Sequence, residues 1–248
     1  MTTTSGTKEW ADSNVNIFSG CSNDCIYCYA KKMAIRFGRK TRETWKFMEL
    51  NEKAFDKGYG KRKGRIMFPT SHDITFETLI FCLLALKKML RARNEVLITS
   101  KPDPKCILRI CEELEEWKDQ IQFRFTITSK DNIILKNYEP HAPLYEDRMS
   151  SLQLAYYKGF KTSVSMEPFL DKDPIPLILK LAPYVTETIW IGKLNYQKFE
   201  FNSKENVRRV IRRLEYLPEN VKKVIENLKK LPGEIYKKIR LKDSIRGD

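Results

Sequence analysis

Cys21, Cys25 and Cys28 stand in the run Cys-Ser-Asn-Asp-Cys-Ile-Tyr-Cys, with three and then two residues between them and Tyr27 directly before the last. Three thiolates can hold three irons of a cubane iron–sulfur cluster, whose usual protein ligand set is four cysteines. The fourth iron is then left for a group that is not protein. An amino group and a carboxylate from a small molecule suit that corner, and the cluster can then pass an electron into the molecule.

Other uses of these sulfurs fit less well. A structural zinc site closes with four ligands, yet residues 1–60 hold no histidine and the chain has only His72 and His141. Disulfide frameworks belong to small secreted domains. This chain has 248 residues and no apolar signal segment, so a reducing cytoplasm is the expected setting. Cys82, Cys106 and Cys111 fall in helical patterns and read as small core residues.

With Tyr27 before its last cysteine, the motif resembles the signature of the radical S-adenosylmethionine (SAM) enzymes. The preceding Lys8-Glu-Trp-Ala and Asn14-Val-Asn, and Tyr29-Ala30 after it, are similar to the branch related to spore photoproduct lyase and to a set of small uncharacterised radical SAM proteins. The resemblance implies a [4Fe-4S] cluster on Cys21, Cys25 and Cys28, with SAM chelating the unique iron through its amino and carboxyl groups. It further implies reductive cleavage of SAM to methionine and a 5′-deoxyadenosyl radical that abstracts hydrogen from a substrate. That reduction calls for an external electron donor of the flavodoxin or ferredoxin type. The chemistry is the cofactor's; the protein binds, aims and excludes water.

The elements that must position these groups follow from periodicity. Residues 14–18 alternate polar and apolar and read as a first strand leading into the cysteine loop. Residues 27–37 turn helical, with Tyr29, Met33 and Phe37 four apart. Cys28 then sits at a helix start, where unpaired N–H groups and the helix dipole favour an anionic thiolate. A short helix is expected near 44–55. Further strands are predicted at 65–68, 95–99, 122–128, 160–166 and 186–192, with helices at 75–91, 104–118, 147–158 and 175–181. Such alternation implies an α/β fold with parallel strands and right-handed crossovers, a partial (βα)6 TIM-like barrel, which is also what the resemblance implies. Residues 8–200 form the barrel in this reading and 201–248 a basic helical extension, with helices at 206–217 and 219–231. Within 122–128, Phe123, Phe125 and Ile127 face one way and Arg124, Thr126 and Thr128 the other. If the apolar set meets the helices, the lumen is polar and suggests a ligand.

Ligands of α/β barrels gather at the C-terminal ends of the strands. Ser71, His72 and Asp73 follow the second strand, Lys101 the third, Thr126 and Thr128 the fourth, and Glu167 the fifth. SAM needs a cation near its carboxylate, acceptors near its amine and hydroxyls, and an apolar contact for its ring. Lys101, then Ser71 or Glu167, then Tyr27 can meet those needs. The resemblance, which covers residues 8–193, adds matches at Ser71, Lys101 and Thr126, and in Glu139-Pro-His-Ala-Pro followed by Arg148. The cofactor-binding candidates are therefore Tyr27, Ser71, Asp73, Lys101, Thr126, Thr128, Arg148 and Glu167. Asp73 fits equally as the cap of a helix starting near residue 75, and Arg148 or Lys193 fits as a structural partner of Glu167. The chain departs from the photoproduct lyases at Pro69 and Thr70, where those enzymes carry a hydrogen-returning cysteine just before the serine. Thymine-dimer repair by the same route is not expected.

Charge bears on the substrate. The net charge is +14, of which residues 31–65 carry +9 and residues 201–248 carry +7, leaving −2 for the rest. Two basic patches suit the phosphate backbone of DNA or RNA, and a solvated Lys/Glu surface is the plain alternative. No apolar run is long enough to span a membrane. Three readings follow. The first is a radical SAM enzyme that repairs or modifies nucleic acid. The second is a nucleic-acid-binding module with a structural metal or iron–sulfur site, and the third is a radical SAM enzyme acting on a peptide or small metabolite.

Overall fold

The computed structural model describes residues 6–194 and 218–246. Its centre is a seven-stranded sheet in the order β1 (Ser13–Asn14), β4 (Arg65–Phe68), β5 (Glu95–Ser100), β6 (Ile121–Thr126), β7 (Lys161–Met166), β8 (Ile189–Ile191) and β9 (Ile239–Leu241). Every neighbouring pair in this sheet is parallel. Such a sheet needs a crossover between successive strands. Helices α3 (Leu79–Arg91), α4 (Pro104–Glu113), α6 (Tyr145–Tyr157) and α7 (Ile175–Leu181) supply most of them. The result is the expected partial α/β barrel.

Six of the seven strands precede Gly192, as the periodicity predicts, and the seventh comes from the C-terminal residues, where helices alone are expected. Residues 239–241 are too short a run to announce a strand, and only pairing with β8 defines them. The helix Pro218–Leu228 occupies most of the predicted 219–231. The helix predicted at 206–217 lies outside the described residues.

Three boundaries move for identifiable reasons. The predicted strand 14–18 splits into β1 and β2 (Phe18–Ser19), because Asn16 between them turns its amide oxygen to the N–H groups of Thr70 (2.6 Å) and Ser71 (2.9 Å). β2 instead pairs antiparallel with β3 (Glu49–Leu50), and the short helix expected near 44–55 narrows to α2 (Glu52–Asp56). The predicted helix 104–118 ends as α4 at Glu113 and continues as a 3-10 turn, Glu115–Gln120. Its start is well marked, since Asp103 accepts from the N–H groups of Lys105 (2.9 Å) and Cys106 (3.2 Å) ahead of Pro104 at the first turn. One further helix, α5 (Asn132–Tyr138), was not signalled by periodicity and is capped by Asp131.

The core lies between sheet and helices. Phe123 and Phe125 of β6 are fully buried, Phe123 meets Phe160 edge-on at 5.3 Å, and Cys82, Cys106 and Cys111 are buried and free. Each fully buried large apolar side chain contributes about 1.5–3 kcal/mol. Together they fix the strands whose C-terminal ends carry the polar residues.

Candidate active site

The cysteine loop leaves β2 through Gly20, which adopts φ +98°. A Cβ there would collide with the carbonyl oxygens of Trp45 and Phe47, so the chain needs glycine at this position. The loop is then pinned at several points. Cys21 N–H donates to Trp45 O (3.0 Å), Ile26 N–H to Tyr138 O (3.0 Å), and Cys28 N–H to Cys25 O (3.2 Å). Cys28 is the N-cap of α1 (Tyr29–Arg36), and its Sγ accepts from Lys31 N–H at 3.4 Å. The predicted placement of Cys28 at a helix start is what the structure has.

Cys21 and Cys25 are buried, Cys28 is half-buried, and all three are free. Burial pushes the Cys21 thiol up to about 12, with the Asp73 charge adding to it. Burial also drives Cys25 well above the usual thiol range, although Lys101 opposes it, and raises Cys28 against the Lys31 N–H. Such thiols become thiolates when a metal centre supplies the compensating charge. Among the described residues, no three His, Cys, Asp or Glu side chains converge on a single metal ion. A cubane makes no such demand, since each thiolate takes its own iron. The donor set therefore fits a cluster held by three cysteines.

Asp73 stands beside this loop and is not a helix cap. α3 begins at Leu79, after Thr78, too far on for Asp73 to reach its free N–H groups. Asp73 instead accepts from Asn23 Nδ2 (2.8 Å), Ser100 Oγ (3.2 Å), Lys101 N–H (2.7 Å) and Cys21 Sγ (3.7 Å). Burial opposes its charge, but Lys101 and these donors hold its pKa below the usual carboxylate value. Lys101 Nζ is 3.9 Å from Asp73 Oδ2 and lies over the Tyr27 ring at 5.6 Å.

Glu139 is the second anchor. It is fully buried and accepts from Tyr27 Oη, from Arg148 Nη2 and from Thr128 Oγ1 (2.9 Å). Arg148, itself fully buried, also donates to Pro143 O (2.7 Å) and Thr126 O (3.2 Å). Arg148, Thr128 and the Thr126 carbonyl thus form a layer behind Tyr27, while Ser71 is half-buried and held through its backbone by Asn16. A cavity of about 470 Å³ opens beside Asn23 and Lys101, bounded by Phe76, His141 and Asp147. That volume suits a small-molecule site.

Glu167 lies apart from this group. Of the expected partners, Arg148 is committed to Glu139, and Lys242 stands 3.8 Å from Glu167. Burial pushes its pKa up to about 7 in spite of Lys242. Lys242 also pairs with Glu9 (2.5 Å).

The polar face of β6 does enter the lumen, as alternation predicts, but side chains of the protein fill the space expected for a ligand. Arg124 donates to Ser163 (3.1 Å) and Thr188 (3.3 Å), and its guanidinium lies over the rings of Trp10 (4.7 Å) and Trp190 (5.5 Å). Lys242 Nζ lies over the Trp10 ring at 4.6 Å. Sequence reasoning missed Asn16, Asn23 and the anchoring role of Glu139. Local signals existed for two of them, in Asn14-Val-Asn and Glu139-Pro-His, but none existed for Lys242.

No family model matches the chain. Over 189 residues it is 25% identical to an uncharacterized protein of Methanocaldococcus jannaschii, covering 75% of this chain and 69% of that one. It is also 25% identical to an uncharacterized protein of Acidianus two-tailed virus over 181 residues, 68% of this chain and 60% of the viral one. The chain thus spans less than two thirds of the viral relative. Among solved structures, a tyrosine-to-phenylalanine mutant of spore photoproduct lyase superposes with a TM-score of 0.54 at 12% identity, covering 92% of this chain and 80% of that chain. A lyase variant with AdoMet and dinucleoside spore photoproduct bound covers 82% of this chain and 65% of its own at a TM-score of 0.48. The partial barrel described above is therefore a fold similar to that of spore photoproduct lyase.

Proposed function

We propose that the chain is a radical SAM enzyme acting on nucleic acid. One observation carries this reading: three free cysteines at the family's spacing lie on a single pinned loop, with Cys28 capping α1 and the half-buried Lys101 acting on Cys25. The fold similar to that of spore photoproduct lyase supports it. In this reading Cys21, Cys25 and Cys28 hold a [4Fe-4S] cluster and SAM completes its coordination. Bound together, these groups supply a 5′-deoxyadenosyl radical by reductive cleavage of SAM, using an electron from a flavodoxin- or ferredoxin-type donor.

The chain's own residues bind, orient and exclude water. Lys101 is the cation for the SAM carboxylate, and Asp73 fixes its position through the Lys101 N–H and Nζ. Tyr27 offers an aromatic face, held rigid by Glu139, so Arg148, Thr126 and Thr128 position that ring and do not touch SAM. Of the two acceptor candidates, Ser71 serves the amine and hydroxyls, because Glu167 lies apart beside Lys242. Nucleic acid is the substrate because the +9 of residues 31–65 adjoins the cysteine loop. Pro69 and Thr70 imply a reaction other than the lyase's own. Residues 8–200 carry the first six strands of the barrel, and the basic segment 201–248 adds the seventh, in a reducing cytoplasm.

Anaerobically reconstituted protein is expected to bind about four irons per chain and to release 5′-deoxyadenosine from SAM and dithionite. A four-iron protein that releases none removes the reading and leaves a binding module with a structural cluster. Gel shifts with DNA and RNA across salt test the substrate, since phosphate contacts give a steep salt slope.

A further inference from the structure

The loop that carries the cysteines has an outer side as well as a mouth. Its inner layer is small, for Cys21, Ala30, Ala34 and Trp45 form a separate buried cluster with Cys28 packed against it. Trp45 is 2% exposed, and Cys21 N–H donates to its carbonyl. Outside this layer lie the far end of α1 and residues 38–47. There Phe37 is 60% exposed and Phe47 59% exposed. Each is flanked by cations. Arg36 and Arg39 lie over the Phe37 ring at 5.7 and 5.8 Å, and Lys46 over the Phe47 ring at 5.4 Å. Lys40 donates to Phe47 O at 3.1 Å, which ties the segment just after Phe37 to the backbone of Phe47. Residues 29–47 hold seven Lys/Arg and one Glu.

Arg36, Arg39 and Lys46 are three of the thirteen Lys/Arg of residues 31–65, so ten remain for the substrate. Tyr29, at the first turn of α1, donates to Thr70 O at the strand ends. Phe37 follows an eight-residue helix, about 12 Å further on at 1.5 Å per residue. A substrate reacting at the mouth has no need of that distal end. A reductant does, because it must approach the cysteines without entering the mouth, and Trp45, from the same segment as Phe47, is buried in one small cluster with Cys21.

We propose that Phe37, Phe47, Arg36, Arg39 and Lys46 form the docking surface for an acidic protein electron donor. The proposal rests on the radical SAM reading and names the partner for that same site. One electron leaves the donor's cofactor, which is oxidised, and enters the cysteine-bound centre, which is reduced; no bond or proton changes at the interface. Apolar rings with a cationic rim match a partner whose acidic rim surrounds its cofactor, and the charge mainly speeds encounter.

The test compares two reductants on the reconstituted full chain, following cluster reduction by EPR and absorbance. An acidic two-cluster ferredoxin is the protein donor and dithionite the small one. In R36E/R39E/K46E the ferredoxin rate should fall roughly tenfold or more at low salt, and in F37A/F47A by a similar factor, while the dithionite rate and iron content stay at wild-type levels. Equal ferredoxin rates in wild type and both variants overturn the proposal. So does a loss of single-stranded oligonucleotide affinity in the charge variant with the ferredoxin rate intact, which would assign the surface to nucleic acid. If dithionite itself reduces nothing in wild type, the radical SAM reading has failed and this inference falls with it.

Discussion

Two charge networks flank the strand ends, and they differ in the side chains each surrounds. In the lumen, Arg124 rests between Trp10 and Trp190 and donates to Ser163 and Thr188. Its partners are neutral and belong to the scaffold. On the cysteine side, Glu139 and Arg148 neutralise each other at zero exposure, Asp73 is matched by Lys101, and beside them stand two buried thiols and the half-buried Cys28, all with pKa values raised by burial. Arg124 Nη1 is nonetheless buried without a hydrogen-bond partner, so polar satisfaction does not separate the two networks; what separates them is that one surrounds three free cysteines on a single loop. Buried polarity alone does not mark a site; the chemistry of the side chains it surrounds does.

Substitutions can sharpen or break this contrast. The largest effect is expected for Arg148→Met, which leaves the Glu139 carboxylate buried without its cation and should cost about 3–5 kcal/mol in urea denaturation. The same variant should alter acid sensitivity. Burial alone would raise the Glu139 pKa, but Arg148, Lys101 and Tyr27 hold it below 4.5. The wild-type contribution is thus present above the unfolded value and lost as pH falls through the lower folded one, and Arg148→Met should begin losing it at higher pH. Next comes Cys25→Ala, expected to cost about 1 kcal/mol in metal-free protein while abolishing four-iron reconstitution. A loss of fold with iron content retained would reverse the roles of the two networks.

Smaller effects belong to the lumen. Arg124→Met leaves no carboxylate behind, so its stability should change by less than about 1–2 kcal/mol and its 5′-deoxyadenosine yield should match wild type. A large loss of yield would show that the filled lumen takes part in binding. The smallest effect concerns Glu167, whose folded pKa of about 7 lies above the unfolded value of 4.5. Its contribution favours the fold at low pH and declines as pH rises between those values, a slope that Glu167→Gln should remove from a stability profile.

The order of the elements was readable because each strand is apolar and bounded by turn residues. Arg65–Phe68 stops at Pro69 and the helix Ile175–Leu181 begins after Pro174, and both keep the predicted limits. Thr126 and Thr128 alternate with Phe125 and Ile127, which identified the lumen face. What was not readable depends on distant partners. Asp73 reads as a cap until the start of α3 is known to lie further on, and Arg148 reads as a ligand contact until Glu139 is seen across from it. Trp10 carries no periodic signal, and its place over Arg124 is set by residues more than a hundred positions away. Spacing therefore announced the cysteines, while the groups that aim and plug the barrel emerged from tertiary packing.

The seventh strand ties together residues that are made far apart in time. Lys242 Nζ donates to Gly6 O across 236 positions, and Gly6 N–H donates to Asp243 Oδ2. During synthesis the N-terminal side emerges first, so the Gly6 contacts form only after residues 239–246 have been made. The loop-closure cost of joining them grows slowly with chain length. Trp10 can seat earlier, because its partners Arg65, Arg124 and Trp190 all precede the seventh strand, which leaves the Gly6 clasp to lock a barrel already plugged.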